Sequence, residues 1–363
     1  MTSSRTILAL VTDAFGGRGG IAQYNRDFLT ALLESGSMTS VIVLPRHAHD
    51  LASPPPGIFQ VPPHFDRIVY ALHALWSAFR YRVDVVFCGH LYMAPLAALV
   101  AKLKGAKLII QAHGIEAWPM PTALQRTAVE AADLVLCVSR YTRARVLGWA
   151  AIVPERVLVI PNMVGERFSP GDGKALRKLL NLESERMFLT VGRMDARERY
   201  KGHDRVIAAL PSLVAAGIDV VYLIAGDGTD RVRLETIARE LEIHSRVRFL
   251  GVVGPEDLVA TYRAANLFVM PSTREGFGIA FLEATACGTP ALGLNVAGAR
   301  DALADGELGT LTSESELLQA LKDSVEAPMS EPGALSAKVH ARFGRQAFAA
   351  WIDAICTRLQ EAA

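Results

Sequence analysis

The sequence predicts an α/β protein with two doubly wound, Rossmann-like domains that face a central cleft. Continuous apolar runs such as Val41–Leu44 alternate with helical patterns, as expected for parallel strands covered on both faces. The 363 residues exceed what one hydrophobic core normally serves. A stretch rich in Pro and Gly at 161–185 interrupts the alternation, which is typical of an interdomain linker.

The alternation sets the domain bounds. We expect a first domain at 1–165, a linker at 166–185, a second domain at 186–335 and a C-terminal helix at 336–363 that packs back toward the first domain. Ligands of such domains bind at the carboxyl ends of the strands, so the functional residues should lie in strand-to-helix loops. The expected strands lie near 6–12, 39–44, 83–88, 107–112, 134–138, 157–160, 186–192, 219–225, 246–250, 267–270 and 289–293, and the expected helices of the first domain lie near 21–35, 65–80, 93–103, 121–131 and 140–149.

Charge and composition describe an ordinary globular protein with 51% hydrophobic and 21% charged residues. Residues 1–165 carry 15 Lys/Arg against 10 Asp/Glu, and residues 166–363 carry 23 against 27, so the halves have net charges of +5 and −4. The first half should therefore prefer anionic partners such as a membrane surface, although random surface charge explains so small an excess equally well. We expect no nucleic-acid partner.

The expected location is the cytoplasm. The four cysteines are widely spaced and should be buried thiols. We expect no signal peptide, because a predicted strand starts almost at once, and the longest apolar stretch, 91–100, is far short of the ~20 residues that span a bilayer. Peripheral contact at the inner face of the membrane stays open, because segment 66–82 is apolar and aromatic with a basic end. A helix that faces the domain core is the favoured interpretation of that segment.

Two carboxylates, Glu275 and Glu283, flank the most informative segment. Glu275 falls in a loop after a predicted strand, and Glu283 lies about one and a half turns into a helix that starts near Gly278. Free N–H groups at a helix start attract anions, whereas carboxylates accept hydrogen bonds from hydroxyls. The segment therefore predicts a ligand that is both phosphorylated and polyhydroxylated.

A glycine-rich loop follows the first predicted strand. Gly19 and Gly20 precede a predicted helix, where backbone N–H groups can approach a diphosphate closely. The loop matches neither the Walker pattern nor G-x-G-x-x-G. A flexible turn is the alternative.

Basic residues follow the first strand of the second half. Arg193 can fork onto phosphate oxygens and Lys201 can add a point charge. The charges between them, notably Arg197 and Arg199, suit a solvated run.

Two further strand ends carry polar groups. His113 could hydrogen-bond a sugar or be a satisfied structural residue. Gly226-Asp227-Gly228 favours a plain turn. Because the sequence has no Asp-x-Asp and no His/Cys cluster with metal spacing, we expect no metal.

These motifs together resemble the retaining, nucleotide-sugar-dependent glycosyltransferases of the GT-B fold, in the family 4 group of bacterial α-mannosyl- and α-glucosyltransferases. The resemblance covers nearly the whole chain. Its most specific element is the Glu-x7-Glu motif, and the other matches are Gly19-Gly20 to Tyr24, Gly192-Arg193-Met194 with Lys201-Gly202, and Leu250 to Val253.

The resemblance implies a role for each residue. The catalytic set would be Arg193 and Lys201, which neutralise the donor diphosphate, with Glu275 and His113, which contact the transferred sugar. The donor would also be held by Gly19 and Gly20 at the diphosphate, the backbone of Gly276, Phe277 and Gly278 at the sugar, Glu283 at the ribose, and the backbone near Val252 at the base. No cofactor would be required.

The implied reaction moves a hexose to a glycan or polyprenyl-diphosphate-linked acceptor, as in bacterial surface or exopolysaccharide synthesis. The long spacing from Arg193 to Lys201 is similar to that of exopolysaccharide mannosyltransferases and favours GDP-mannose as donor, with a UDP-sugar as the alternative. Two other functions stay open. One is a nucleotide-sugar 2-epimerase on the same fold, and the other is a non-catalytic nucleotide-sugar-binding subunit.

Overall fold

The computed structural model describes residues 5–47, 53–327 and 331–361. They divide into two compact units. The first runs to Met163 and includes the chain from Gln346 onwards, and the second comprises Val164–Arg345. The division falls close to the predicted end of the first domain. Residues 166–185 are part of the second unit: Phe168 is fully buried, and the segment contains a short helix.

The first unit is a seven-stranded parallel sheet in the order β3-β2-β1-β4-β5-β6-β7. Its strands are β1 (Thr6–Val11), β2 (Ser40–Pro45), β3 (Ile58–Gln60), β4 (Val85–Cys88), β5 (Lys107–Ala112), β6 (Leu134–Cys137) and β7 (Val157–Val159). The connecting helices are α1 (Gly20–Glu34), α2 (Arg67–Arg80), α3 (Ala94–Lys104), α4 (Ala123–Glu130) and α5 (Arg140–Trp149).

The strand order reverses between β1 and β4. Leu8 of β1 is in register with Ile42 on one side and Val86 on the other, and all three are buried. Strands buried on both faces need continuous apolar runs, which explains why the sequence pattern found β1 and its neighbours. The reversal places the loops after β1 and β4 next to each other at the carboxyl edge.

The second unit is a six-stranded parallel sheet in the order β10-β9-β8-β11-β12-β13. Its strands are β8 (Arg186–Val191), β9 (Val220–Ala225), β10 (Val247–Gly251), β11 (Leu267–Met270), β12 (Ala291–Leu294) and β13 (Thr310–Thr312). Its helices are α6 (Lys174–Leu179), α7 (His203–Ala215), α8 (Arg231–Glu240), α9 (Pro255–Ala264), α10 (Ile279–Ala286), α11 (Ala299–Ala302), α12 (Leu317–Glu326) and α13 (Pro332–Phe343). The order reverses between β8 and β11.

The C-terminal segment is not the single helix predicted at 336–363. Gly344 has an extended backbone (φ −78°, ψ 179°) and separates α13 from α14 (Arg345–Glu361). From Gln346 onwards α14 belongs to the first unit, where Phe348 and Ile352 are buried and Arg358 donates a 2.6 Å hydrogen bond to the carbonyl of Glu155.

Helix α2 has two faces. Tyr70, Ala74 and Ala78 face the core of the first unit, as favoured from the sequence. The opposite face is an apolar stripe, defined here as Phe65, Ile68, Leu72, Trp76 and Phe79, whose residues are 55–76% exposed. Among the helices that the structure describes, none combines the length and the apolar character that crossing a membrane requires.

The four cysteines, Cys88, Cys137, Cys287 and Cys356, are buried free thiols, which confirms the prediction for them.

Candidate active site

The loops after β8, β9 and β11 meet at the point where the sheet of the second unit reverses its strand order. Strand β8 lies between β9 and β11, so the carboxyl ends of all three reach the same edge. The N–H of Met194 donates to the carbonyl of Asp227 at 3.0 Å, and the N–H of Thr273 donates to that of Tyr200 at 2.9 Å. The predicted diphosphate and sugar segments therefore lie side by side.

Lys201 is held back against the end of β8. A Cβ on Gly192 would lie 3.3 Å from the Lys201 Nζ, so the absence of a side chain there leaves room for the ammonium. The next residue, Gly202, has φ +79°, and its Cα faces the carbonyl of Pro271 so closely that a Cβ would lie 2.5 Å from it. The Lys201 side chain is only 17% exposed. A cation is thus fixed at the strand end.

Glu198 lies between the two predicted diphosphate ligands. Its Oε1 accepts a hydrogen bond from Arg193 Nη2, and its Oε2 lies 3.2 Å from Lys201 Nζ. Arg193 is 74% exposed, whereas Glu198 is 16% exposed. Glu198 is not among the site residues predicted from the sequence, because the charges from Asp195 to Arg199 suit a solvated run. The sequence feature that could have identified Glu198 is its place three positions before Lys201.

The neighbouring arginines behave differently from each other. Arg197 is 89% exposed and pairs with Asp195, which confirms a solvated position. Arg199 ion-pairs at 2.8 Å with Asp230, whose side chain is 4% exposed and also binds Arg233. Arg199 is 54% exposed, as expected of a solvated position, and its ion pair also anchors the loop to the start of α8.

The turn after β9 packs against the loop of Arg193. Gly226 and Gly228 have φ +144° and +157°, and Cβ atoms on them would lie 2.0 and 2.2 Å from the carbonyl oxygens of Gly192 and Met194. The segment is a strand-to-helix turn, as favoured from the sequence, and only glycine fits this backbone approach.

Glu275 lies half-buried in the loop before α10, beside Lys201 and Glu198. Burial raises the pKa of its carboxyl group, while Lys201 and the backbone N–H groups of Gly276 and Phe277 act against that rise. The loop is fixed from behind, because the N–H of Gly298 donates to the Glu275 carbonyl at 2.9 Å. The carboxylate is therefore held in one place next to a cation.

The residues after Glu275 shape the start of α10. The Phe277 ring is buried and packs edge-on against Phe343 at 5.7 Å, so its side chain belongs to the core. Gly278 is the N-cap with φ +96°, and a Cβ there would lie 2.6 Å from the Phe281 ring. Gly276 and Gly278 are also buried, so this segment can offer a ligand backbone groups rather than side chains.

Glu283 lies on the buried face of α10 and is 6% exposed. Its Oε2 accepts a 2.8 Å hydrogen bond from the hydroxyl of Tyr262 on α9. Burial raises the pKa of this carboxyl group to about 7, with the Tyr262 hydrogen bond and Arg167 acting in the opposite direction. Glu283, the residue predicted to bind the ribose, thus has a buried side chain whose orientation is already fixed. Val252, predicted to mark the base site, is 74% exposed in the loop after β10.

In the first unit, the predicted glycine loop leads into α1. Gly19 is the N-cap with φ +90°, and Gly20 is the first residue of the helix. Arg26 Nη1 donates to the carbonyls of Ala14 and Gly17 at 2.8 and 2.9 Å, so the loop is tied down from the helix. This geometry opposes the flexible-turn alternative for 16–20.

His113 follows β5 at the carboxyl edge of the same sheet. Its Nε2 lies 2.9 Å from the carbonyl oxygen of Gly89, and because a carbonyl can only accept, Nε2 carries the proton. Burial lowers the pKa of the ring to about 4, which keeps it neutral. The Tyr24 ring packs edge-on against it at 5.2 Å. His113 thus makes the hydrogen bond expected of a structural histidine. A contact between His113 and a sugar stays a prediction.

No metal site emerges from the part of the chain that the structure describes. Within residues 5–47, 53–327 and 331–361, no three His, Cys, Asp or Glu side chains are grouped so that they could hold a metal ion.

Solved structures resemble this fold over nearly its whole length. The Anabaena protein HepE in complex with UDP superposes with a TM-score of 0.78 at 19% identity and covers 97% of this chain and 99% of its own. Sucrose-phosphate synthase from Thermosynechococcus elongatus gives 0.79 at 23% identity over 99% and 100%. Together with the two parallel sheets, this likeness defines the fold class as GT-B.

Sequence comparison narrows the class to a family. Residues 18–166 match the model of Glycosyltransferase Family 4, and residues 173–349 match that of Glycosyl transferases group 1. The chain belongs to the family 4 type of GT-B glycosyltransferases.

Two curated relatives are similar over part of their length. A GDP-mannose-dependent alpha-(1-6)-phosphatidylinositol monomannoside mannosyltransferase of Mycolicibacterium smegmatis is 34% identical over 258 residues, which is 66% of each chain. D-inositol 3-phosphate glycosyltransferase 2 of Catenulispora acidiphila is 32% identical over 251 residues, or 64% of this chain and 58% of the relative. The matches thus span two thirds or less of these two relatives.

Proposed function

We propose that this protein is a retaining, metal-independent glycosyltransferase that moves a hexose from a nucleotide diphosphate sugar to a glycan or lipid-linked acceptor. One observation carries the proposal: Arg193, Lys201 and Glu275 come together at the carboxyl edge of the second sheet, where its strand order reverses. Two cations and a carboxylate at such an edge suit a ligand with a diphosphate and hydroxyl groups.

The cations supply the catalysis. As the bond between the sugar and the diphosphate breaks, negative charge grows on the leaving oxygens. Lys201 is preoriented by its place against Gly192, and exposed Arg193 can fork onto two phosphate oxygens. Cations that already lie where negative charge develops stabilise the transition state, because the site need not rearrange during the reaction. The acceptor hydroxyl attacks on the face that the diphosphate leaves, and the leaving oxygen takes its proton, so no side-chain base is required.

Glu275 positions the sugar. Its carboxylate accepts hydrogen bonds from sugar hydroxyls, with the N–H groups of Gly276 and Phe277 close by. Glu283 holds the ribose, and the backbone near Val252 meets the base.

The donor is GDP-mannose or a UDP-sugar. The Mycolicibacterium relative is described as GDP-mannose-dependent, and the Anabaena neighbour was solved with UDP. A thermal-shift panel of GDP, UDP and ADP sugars tests the choice, because a ligand that binds only the folded state raises its stability. Equal shifts by all donors would overturn the preference for these two bases.

Turnover assays separate the alternatives. With the preferred donor and excess chelator, transfer to an acceptor that keeps the anomeric configuration supports the proposal. If the chelator abolishes activity and only added metal restores it, metal independence is contradicted. Isotope exchange at C2 of the sugar without any acceptor would favour a 2-epimerase, and binding without turnover would favour a non-catalytic subunit.

The exposed stripe on α2 supports a lipid-linked acceptor at an anionic membrane surface in the cytoplasm. Ile68, Leu72, Trp76 and Phe79 recur every three or four positions within α2, so they lie along one side of the helix, and Phe65 comes just before it. Arg67 and Arg80 stand exposed at its two ends, and α2 itself contains no acidic residue. An apolar stripe with basic ends suits peripheral binding to anionic lipid.

A further inference from the structure

The carboxylate of Glu198 binds Arg193 and Lys201, the two cations that the proposed function assigns to the donor diphosphate. It hydrogen-bonds Arg193 and ion-pairs with Lys201 at 3.2 Å, and it is 16% exposed. A carboxylate and a phosphate oxygen seek the same donors. The two anions therefore compete for these cations.

Glu198 is presented by a firmly held loop. Its N–H donates to the carbonyl of Asp195 at 2.8 Å, within the 3₁₀ segment Ala196–Lys201. At one end the N–H of Ala196 donates to Thr229 Oγ1 at 3.0 Å, and at the other the carbonyl of Tyr200 accepts from Thr273. The backbone at Glu198 (φ −113°, ψ 24°) departs from helical geometry and joins two short turns. The loop therefore fixes the backbone that presents the Glu198 carboxylate, whereas its partner Arg193 is an exposed side chain.

The pairing is also incomplete. Glu198 Oε2 is buried, and its approach to Lys201 lacks hydrogen-bond geometry, so the atom has an unmet hydrogen bond. A second carboxylate, that of Glu275, lies close enough to Lys201 and Glu198 for both charges to act on it. Leaving a buried acceptor unsatisfied costs free energy, so this arrangement is one that an incoming ligand can displace.

We propose that Glu198 is an exchangeable internal counter-ion: it neutralises Arg193 and Lys201 in the donor-free protein, gives them up to the diphosphate, and takes them back when the nucleoside diphosphate leaves. It acts through the cations and is a positioning residue. A competing occupant lowers the apparent affinity for every diphosphate ligand by the fraction of time it holds the site. The consequence is faster release of the product.

The inference rests on the proposed function and is tested by titration calorimetry with inorganic pyrophosphate and with the nucleoside diphosphate of the preferred donor. The variant is Glu198→Gln, which removes the charge and keeps the shape. The matched control is Asp195→Asn, in the same loop, whose carboxylate pairs with Arg197. We expect Glu198→Gln to bind both ligands more tightly, on the order of tenfold at low salt, and Asp195→Asn to bind like the wild type.

A second variant and steady-state kinetics keep the test decisive. Glu198→Asp keeps the charge but is one methylene shorter, and its affinity should fall between those of wild type and Glu198→Gln. In turnover, Glu198→Gln should lower both KM for the donor and the inhibition constant of the nucleoside diphosphate, and should lower kcat where product release limits the rate. A role that only stabilises the loop predicts weaker binding and a lower Tm instead.

The outcomes separate the two proposals. If the ligands bind the wild type and bind Glu198→Gln equally or more weakly, the counter-ion proposal is overturned. The proposed glycosyltransferase function is then unaffected. If pyrophosphate binds Glu198→Gln more tightly than the wild type and no nucleotide sugar binds either protein, the counter-ion proposal is supported. The proposed function is then overturned. If neither protein binds pyrophosphate or a nucleotide sugar, both proposals fail.

Discussion

The hydroxyl of Tyr262 donates a 2.8 Å hydrogen bond to Oε2 of Glu283, and both side chains are buried. This contact joins α9 to α10 and fixes the rotamer of the second glutamate of the Glu-x7-Glu motif. One carboxylate oxygen is thus used for positioning, as expected of a group that is preorganised for a ligand.

The buried Glu283 should make the stability of the protein depend on pH. Its pKa of about 7 lies above the ordinary 4.5, so the folded state binds more protons between these values and stability falls as pH rises through them. Replacing it in Glu283→Gln removes this contribution. Urea unfolding at pH 5 and pH 8 should show that wild type loses roughly 2–3 kcal/mol relative to the variant over this interval. Exposed Glu240→Gln serves as control and should follow the wild type, whereas parallel curves for wild type and Glu283→Gln would contradict the assignment.

Loss of a positioned charge at the site should lower activity strongly. We expect Lys201→Ala and Glu275→Gln each to lose on the order of 2–4 kcal/mol of transition-state stabilisation, which is about 30- to 1,000-fold in kcat/KM. Arg197→Ala, in the same loop but 89% exposed, should stay near wild type. The measurement is initial-rate kinetics with the preferred donor, and full turnover of Lys201→Ala at saturating donor would remove that residue from the mechanism.

Charge on the α2 stripe should weaken membrane binding. Leu72→Glu places a carboxylate on the stripe, whereas Leu179→Glu makes the same change on α6 of the second unit, where the leucine is 77% exposed. Because burying a leucine is worth about 1.5–3 kcal/mol, Leu72→Glu should weaken binding to vesicles of neutral and anionic lipid by about tenfold or more. Co-sedimentation measures this. Equal binding by both variants, or wild-type binding that ignores anionic lipid, would contradict the proposed surface.

The glycine turn after β9 should tolerate no side chain. In Gly226→Ala the Cβ would lie 2.0 Å from the Gly192 carbonyl oxygen at φ +144°. We expect a destabilisation on the order of 2–4 kcal/mol and a displaced Arg193 loop, and therefore a lower Tm and weaker donor binding. Gly333→Ala on α13 is the control, since its Cβ would meet nothing within 4 Å and should stabilise the helix slightly. A Gly226→Ala variant as stable as wild type would argue against this packing.

The sequence predicted the long, doubly covered strands and the short edge strand β7, and it missed β3 and β13. Strands such as β1 and β9 are nearly continuous apolar runs, which a pattern identifies easily. The strands β3 and β13 have three residues each and lie at the sheet edges, where pairing with one neighbour defines them rather than composition. Gly344 broke the predicted C-terminal helix: it is extended, and a Cβ there would lie 2.4 Å from the carbonyl oxygen of His340, so the glycine was a local signal for the end of α13.

The candidate site was predictable where residue type follows directly from the chemistry. Arg193, Lys201 and Glu275 stood out as charges at strand ends. The partners of these charges were not predictable in the same way. Glu198 and Tyr262 act through contacts that depend on the path of a 3₁₀ turn and on the packing of two helices, and neither path is written in a local pattern.

The return of the chain to the first unit has a consequence for biosynthesis. Because Phe348 and Ile352 of α14 fill the first unit, while Val164–Arg345 forms the second, the second unit is in effect an insertion within the first. On the ribosome, domains fold as their residues emerge. The second unit can therefore be complete before the first, whose final helix is among the last parts of the described chain to be made.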